Sequence, residues 1–99
     1  MSNLGFEWDP FKAERNRLNH GITFEEATSV FDDPLAVIFD DEEHSLTETR
    51  EIIVGHSLQN KLLFVCFTER DGSIRIISAR RATPREQRDY ESGTSGTSG

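Results

Sequence analysis

Six arginines lie between residues 70 and 88, and three of them belong to the stretch Ile74–Arg81, "IRIISARR". Arginine suits phosphate groups because its planar guanidinium donates paired hydrogen bonds to two oxygens at once. The first half of the stretch is apolar and β-branched, which is typical of a strand. The segment "ATPREQRDY" that follows is typical of a capped helix. We therefore predict a strand whose end carries an anion site.

Strand geometry divides these arginines between two faces. Because side chains alternate along a strand, Arg80 is expected on one face and Arg75 and Arg81 on the other. Arg80, near the strand's end, is the candidate for binding a reacting phosphate. The alternative for Arg80 is an ion pair with a helix carboxylate such as Glu86.

Arg70 precedes Asp71 and Gly72, a strong hairpin signal that admits two registers. A two-residue loop would place Arg70 and Arg80 on opposite faces of the sheet. A three-residue loop with a bulge at Gly72 would place them on the same face. In either register the two side chains are about 20 Å apart, at ~3.3 Å per strand residue. They cannot hold one phosphate together, but a chain of several nucleotides would reach both.

His20 and Glu51 are the candidate proton-transfer groups. Asp9 is a typical helix N-cap and Gly21 a typical helix end, so His20 lies in the last turn of the first helix. The helix dipole attracts a cation there, which favours His20 as a general acid or a phosphate contact. The alternative is a histidine that only caps the helix carbonyls. Glu51 is a weaker candidate for a base, because a carboxylate beside Arg50 is more often half of a surface ion pair.

The sequence lacks metal and cofactor motifs. The three histidines, His20, His44 and His56, lack the paired spacing with histidine or cysteine that zinc sites use. The acidic run Asp40–Glu43 lacks the glycine spacing of a calcium loop and is predicted to be a solvated loop. There is no glycine-rich loop to hold a nucleotide phosphate. We therefore predict neither a metal nor a cofactor.

The order of predicted elements is a strand, two helices, a meander of strands and a final helix. Asp9, Thr23 and Thr83 mark the three helices as N-caps. On the first helix, Phe11 and Leu18 are expected to face the core. The apolar runs predict strands at 4–8, 35–39, 52–54, 62–67 and 74–81. The fold class is therefore α+β, an antiparallel sheet with an N-terminal pair of helices packed on it and a C-terminal helix that ends near residue 90.

Composition indicates one small soluble domain. The chain has 99 residues, of which 34% are hydrophobic and 29% charged. We predict a single domain at 1–91 and a flexible tail at 92–99, whose sequence "SGTSGTSG" has low complexity. No apolar run is long enough for a membrane span, and no signal peptide is recognisable. Together with a single cysteine, Cys66, these features favour the cytoplasm.

The net charge of −7 is unevenly divided along the chain. Residues 1–49 hold 3 basic and 12 acidic side chains, a balance of −9, and residues 50–99 hold 8 and 6, a balance of +2. An acidic chain differs from general nucleic-acid binders, which are basic. A local basic site is compatible with this charge, because salt at ~0.15 M largely screens charges beyond about 8 Å.

Six segments in series resemble the BrnT family, the ribonuclease toxins of bacterial type II toxin–antitoxin systems, which have a RelE-like fold. The segments cover nearly all of Phe6–Tyr90 and are "FEWDPFKAERN", "HGITFEEATSVFDD", "TREIIVG", "LLFVCFTERDG", "IRIISARRAT" and "REQRDY". The resemblance implies metal-independent cleavage of RNA, messenger RNA above all. It also implies neutralisation by a BrnA-like antitoxin with a ribbon-helix-helix part, and contact with operator DNA only through that antitoxin.

The resemblance also assigns residues. The family's histidine before glycine corresponds to His20, its strand-start arginine to Arg50, its hairpin arginine to Arg70, and the arginine of its SAR segment to Arg80. The implied catalytic residues are His20, Arg80 and Arg70, and with RNA as the anion we expect Arg50, Arg75 and Arg81 to contact its backbone. The lysine that usually precedes the family's histidine is Asn19 here, which removes one cation from the RNA side.

A second interpretation belongs to a different class of protein. In it the chain is a non-catalytic binding module that acts as the partner or corepressor of a DNA-binding antitoxin. Cleavage of RNA in EDTA separates the two interpretations. In both, a basic segment of the antitoxin is expected to dock on the acidic run Asp40–Glu43 or on the acidic helices, with an affinity that falls as salt rises.

Overall fold

The computed structural model describes residues 5–44 and 48–93. The strands are β1 (Gly5–Glu7), β2 (Val37–Asp40), β3 (Glu51–His56), β4 (Leu62–Arg70) and β5 (Ser73–Arg81). The helices are α1 (Pro10–His20), α2 (Phe24–Thr28) and α3 (Pro84–Gly93), with 3₁₀ turns at Ser29–Asp32 and Glu42–His44. α3 thus extends two residues into the predicted tail, of which residues 94–99 lie outside the described ranges, as does residue 4 of the first predicted strand.

The five strands form one sheet in the order β1-β5-β4-β3-β2. The four strands from β2 to β5 form an antiparallel meander, whereas β1 pairs with β5 in parallel. The expectation of an antiparallel sheet therefore holds for the meander and fails for β1. A parallel pair needs a long connection between its strands, and here the helices and the rest of the meander provide it.

The turn of the β4–β5 hairpin has two residues, as in the first of the two predicted registers. Arg70 pairs with Ser73 across it. Asp71 and Gly72 both have positive φ angles, 53° and 82°. Positive φ at both central positions is what a tight hairpin turn requires, and glycine adopts it without steric cost.

A β-bulge interrupts the same hairpin further along, and the sequence did not predict it. Phe67 pairs with Ile76, but the next pair joins Cys66 to Ser78. Ile77 is therefore an extra residue in β5. A bulge shifts the alternation of side chains by one residue. Two residues of β5 on opposite sides of Ile77 therefore point to the same face when they are an odd number of positions apart.

The two faces of the sheet carry separate apolar clusters. On one face, which we call the α2 face, strand residues pack under α2 and its 3₁₀ extension; they include Ile53, Leu63, Val65, Phe67 and Ala79. On the other, the α3 face, Tyr90 of α3 packs on a smaller cluster that includes Ile52, Val54, Leu62 and Phe64. The α2 face thus holds the main core, and α3 covers only part of the opposite face.

α1 lies along the part of β5 that β1 leaves unpaired. The side chain of Asn16, which is buried, donates a hydrogen bond of 2.7 Å to the Ala79 carbonyl and accepts one of 3.1 Å from the Ala79 amide. It also donates to the Ile22 carbonyl at 3.0 Å. The amide of Asn16 therefore replaces a neighbouring strand at this edge and satisfies backbone groups that burial would otherwise penalise.

The prediction that Phe11 and Leu18 face the core is wrong. Their exposed fractions are 82% and 68%. Asn16 occupies the inward side of α1, because its hydrogen bonds to the strand edge require it there, and Ala13 packs beside the core. No helix in the described residues combines the length and the apolar character that crossing a membrane requires.

Asp33 joins α3 to the sheet through hydrogen bonds of its carboxylate. Its Oδ2 accepts hydrogen bonds from the His56 backbone amide at 2.7 Å and from the Tyr90 hydroxyl at 3.2 Å, and its Oδ1 accepts one from the Leu35 amide at 2.9 Å. Burial raises the pKa of this carboxyl, but these hydrogen bonds outweigh burial and hold its pKa below the ordinary value. The Asp33 carboxylate therefore ties α3 to β3.

Candidate functional site

The bulge at Ile77 determines which arginines share a face of the sheet. Arg75 pairs with Thr68, and Arg80 pairs with Phe64. Thr68 and Phe64 are four residues apart on β4, which alternates without interruption, so both point to the α3 face. Arg75 and Arg80 therefore project from the same face, and the prediction that they lie on opposite faces is wrong. Strict alternation failed because Ile77 adds one residue between them.

Arg70 also belongs to the α3 face, whereas Arg81 does not. Arg70 follows Thr68 by two residues on β4 and shares its orientation. Arg81 pairs with Leu63, a residue of the main core, and so projects from the α2 face. The hairpin has the two-residue turn of the first predicted register. It nevertheless places Arg70 and Arg80 on one face, as the second register predicted. Arg70, Arg75 and Arg80 therefore form a row on the α3 face.

Arg80 is held by a carboxylate and an aromatic ring. Its two terminal nitrogens donate hydrogen bonds of 2.8 and 2.9 Å to the two carboxylate oxygens of Glu86 in α3. Its guanidinium also lies over the Phe64 ring, 4.0 Å from the ring centre. The hydrogen bond to Glu86 raises the pKa of Arg80 and lowers that of Glu86. The bidentate geometry is the one that arginine would offer to two phosphate oxygens.

A second group of arginines surrounds Glu48 at the other end of this face. Arg70 donates a hydrogen bond of 2.8 Å to Glu48. That bond lowers the pKa of the Glu48 carboxyl, and the nearby charges of Arg50 and Arg75 lower it further. Arg75 also lies 3.5 Å from Glu7. The structure therefore brings Arg70, predicted to be catalytic, close to the predicted RNA contacts Arg50 and Arg75, and apart from the other predicted catalytic arginine, Arg80.

His20 lies in a cleft between α1 and the exposed edge of β5. The cleft has a volume of about 230 Å³. Ser78, which belongs to its lining, precedes Arg80 by two residues and points to the same α3 face. The step between them along the strand is about 7 Å. His20 and Arg80 share no hydrogen bond, but a bound chain of two or three nucleotides would reach from the cleft to Arg80.

The cleft also contains polar residues of α1 that we did not predict to belong to the site. Lys12, Arg15, Asn16 and Asn19 form one stripe of α1 that faces it. Their spacing of three and four residues is the helical repeat, applied to polar side chains rather than apolar ones. That polar stripe was the signal in the sequence that pointed to them. Two of the four side chains are cationic, so the cleft has the charge that attracts phosphate.

The structure places Glu51 on the face of the sheet opposite Arg75 and Arg80. Glu51 pairs with Phe67, which belongs to the main core, so its side chain projects from the α2 face. The predicted base therefore lies on the opposite side of the sheet from Arg80 and Arg75.

Cys66 is buried on the α3 face. Burial, and then the charge of Asp41, raise the pKa of this thiol to about 11. A thiol with that pKa is almost entirely protonated at neutral pH and is a poor nucleophile. Within the described part of the chain, no three His, Cys, Asp or Glu side chains gather closely enough to hold a metal ion.

Comparison with known proteins gives a family and a fold. The family model described as ribonuclease toxin, BrnT, of type II toxin–antitoxin system matches residues 8–86. The crystal structure of the Brucella abortus ribonuclease toxin BrnT superposes with a TM-score of 0.63 at 20% sequence identity, over 82% of this chain and 99% of that one. No curated protein sequence matches the chain.

The family model covers every residue of the cleft and all the arginines of the α3 face, from Lys12 to Arg80. The structural match independently supports the α+β fold with its mixed five-stranded sheet and three helices. The chain therefore belongs to the BrnT family of ribonuclease toxins of type II toxin–antitoxin systems.

Proposed function

We propose that this chain is an endoribonuclease toxin that cleaves RNA, principally messenger RNA, without a metal ion. The observation that carries the proposal is the alignment of Arg70, Arg75 and Arg80 on one face of the β4–β5 hairpin. Such a row suits a polyanion that runs along the strand, because successive phosphates of an extended strand are several ångströms apart. We also propose that the fold is RelE-like, in keeping with the antiparallel meander that follows two helices.

Arg80 is the residue we assign to the scissile phosphate. Its guanidinium would exchange the two oxygens of Glu86 for two oxygens of the phosphate and stabilise the charge that develops during cleavage. The Phe64 ring under the guanidinium keeps it in the same plane during this exchange. Arg70, with Arg50 and Arg75, would hold the RNA backbone further along the face.

His20 is the residue we assign to proton donation. Protonated, it would give a proton to the departing 5′ oxygen, or it would contact the phosphate directly. Lys12 and Arg15, in the same cleft, would draw the RNA towards it. Glu51, on the opposite face, receives no role in this proposal. The 2′-hydroxyl, held in line with the phosphorus, gives its proton to solvent water as it attacks and the bond to the 5′ oxygen breaks. Arg81 would contact only RNA that passes around the end of the sheet.

The proposed partner is a BrnA-like antitoxin with a ribbon-helix-helix part, through which alone the toxin would reach operator DNA. The experiment is expression in a bacterial host with and without this antitoxin. Expression alone should arrest growth, and coexpression of the antitoxin should restore it. Arg80→Ala should abolish the arrest, whereas Arg17→Ala, which removes an exposed arginine paired with Glu14, should leave it intact. Full arrest by Arg80→Ala at an equal protein level would overturn the assigned role of Arg80.

The second candidate function is a non-catalytic binding module, the partner or corepressor of a DNA-binding antitoxin. The observation in its favour is that Glu86 already occupies Arg80 with two hydrogen bonds. If that ion pair never opens, the face cannot stabilise a cleaved phosphate. If this interpretation is correct, the chain binds the antitoxin but leaves growth unaffected when it is expressed alone.

A further inference from the structure

An apolar groove opens on the α3 face between β2 and α3, and it shares Phe64 and Glu86 with the Arg80 site. It has a volume of about 210 Å³. Its walls are Val37, Phe39, Val54 and Phe64 of the sheet, and Glu86, Asp89 and Tyr90 of α3. Phe39 is 45% exposed, a large exposure for an aromatic side chain in a small domain. A groove with this lining favours an apolar occupant.

The groove lies at an open edge of the sheet. β2 is the last strand in the sheet order, and within the described ranges no strand pairs with its outer side. Its backbone groups on that side are therefore available to a neighbouring chain. Ile38, in the middle of β2, is also exposed, at 52%, but it pairs with Ile53 of the main core and so projects from the α2 face; Phe39 is the apolar side chain that this edge presents to the groove. An incoming segment would find apolar side chains and unpaired backbone groups in the same place.

The rim of the groove is acidic. Glu86 and Asp89 contribute carboxylates from the α3 wall. Arg80 pairs with Glu86, whereas Asp89 is exposed on the same wall of the groove. A complementary occupant would therefore carry basic side chains at the flanks of its apolar ones.

The chain itself does not supply such an occupant. Its residues outside the described ranges, 1–4, 45–47 and 94–99, contain no lysine or arginine. A second copy of the chain would bring the same acidic rim and a net charge of −7 to the contact. Like charges of this size disfavour self-association at the groove. The occupant is therefore a segment of a different protein.

We propose that an apolar and basic segment of the antitoxin docks in this groove beside β2. This inference rests on the proposed function, because it takes the partner from it. Glu86 lies both in the groove and on Arg80. A segment packed against Tyr90 and paired with Asp89 would hold α3 in its present position. Arg80 would then stay paired with Glu86 and would be unable to bind the phosphate of RNA.

The test measures the affinity of the full chain for a purified BrnA-like antitoxin. Phe39→Ser removes the aromatic wall of the groove, and Asp89→Lys reverses the charge of its rim. Each should weaken binding by about tenfold or more. Raising salt should weaken wild-type binding more than Asp89→Lys binding. The controls are Phe11→Ser and Glu25→Lys, a more exposed aromatic and an exposed acid on other elements, and these should bind like the wild type.

Circular dichroism and RNA cleavage by the free variants show that they are folded. Two results would overturn the inference: wild-type affinity in both groove variants, or an equal loss of affinity in the two controls. Both leave the proposed function intact. Failure of the wild-type chain to bind the antitoxin is a different result, which removes the partner from the proposed function and this inference with it.

Discussion

At the scale of single residues, Arg80 is the side chain that we assign to the scissile phosphate. Its hydrogen bonds to Glu86 compete with that phosphate for the same guanidinium. The carboxylate of Glu86 accepts two hydrogen bonds from Arg80 and one of 2.9 Å from the Thr83 amide, as the second half of a capping box. Thr83 completes the box by accepting a hydrogen bond of 3.1 Å from the Glu86 amide. The residue that caps α3 is therefore also the residue that occupies the candidate phosphate site.

Glu86→Gln should make the site more active and the fold less stable. The amide keeps the shape of the side chain but removes the charge that competes with phosphate for Arg80. An ion pair of about 1 kcal/mol corresponds to roughly a fivefold gain in cleavage rate, with a similar loss in the free energy of unfolding. Cleavage kinetics and urea denaturation measure the two effects. Glu14→Gln, which breaks the exposed pair with Arg17, is the control, and an equal gain in that variant would contradict the account.

At the scale of secondary-structure elements, two attachments set the geometry of the site. Asn16 holds α1, and with it His20 and the polar stripe, against the free edge of β5. Asp33 holds α3, and with it Glu86, against β3. Each attachment is a polar side chain that replaces missing backbone partners. Neither depends on the apolar periodicity from which helices are usually predicted.

Asn16→Ala should cost about 2–3 kcal/mol of unfolding free energy, because it leaves buried backbone groups of Ala79 and Ile22 without their partner. Asn19→Ala, on the same helix but exposed, should change the stability by less than about 0.5 kcal/mol. Urea denaturation measures both variants. Equal stability of the two would show that α1 does not depend on this attachment.

Asp33→Asn should loosen α3 in a manner that depends on pH. Because hydrogen bonds hold the pKa of folded Asp33 below its ordinary value of 3.8, the ionised carboxylate stabilises the fold above that pH. The stability is lost as the pH falls through the lowered pKa. We expect a loss of about 2 kcal/mol at pH 7 that disappears below about pH 3.8.

Thermal unfolding across this pH range checks the Asp33 prediction, and hydrogen exchange of the α3 amides locates the effect. Asp32→Asn is the control, since Asp32 is the exposed neighbour of Asp33. A loss for Asp33→Asn that stays constant between pH 7 and pH 3 would contradict the assigned role of the carboxylate.

At the scale of the whole molecule, local signals predicted most of the fold. The three N-caps are where the sequence placed them, since Asp9, Thr23 and Thr83 each accept a hydrogen bond from a first-turn amide. Gly55 is a glycine for lack of room, because a Cβ there would lie 2.9 Å from the Ala36 Cβ and from Asp33 Oδ2. Caps, turns and glycines act over a few residues, so a single sequence reveals them.

The features that the sequence missed depend on distant parts of the chain. The bulge at Ile77 has no local marker, yet it brings Arg75 to the face of Arg80. The parallel pairing of β1 joins residues that are far apart in the chain. The buried carboxylate of Glu26 accepts a hydrogen bond of 2.7 Å from Ser57 and lies 3.7 Å from Lys61, both far along the chain. Each of these follows from tertiary packing, which local patterns do not encode.

Acidic and basic side chains occupy different parts of the molecular surface. Glu86 and Asp89 place carboxylates at the groove, whereas Arg70, Arg75 and Arg80 lie on the α3 face of the hairpin and Lys12 and Arg15 in the α1 cleft. The protein therefore presents two surfaces of opposite preference, one for a basic partner and one for RNA. A chain with a net charge of −7 can in this way bind a polyanion locally, because salt screens the distant acids.

The most direct test of the central claim is cleavage of RNA by the purified protein in excess EDTA. The account predicts that the wild type and Arg17→Ala cleave at equal rates without added metal. His20→Ala and Arg80→Ala should each be slower by about 100-fold or more, and both should still be folded. Cleavage that stops in EDTA, or that persists unchanged in Arg80→Ala, would contradict the account.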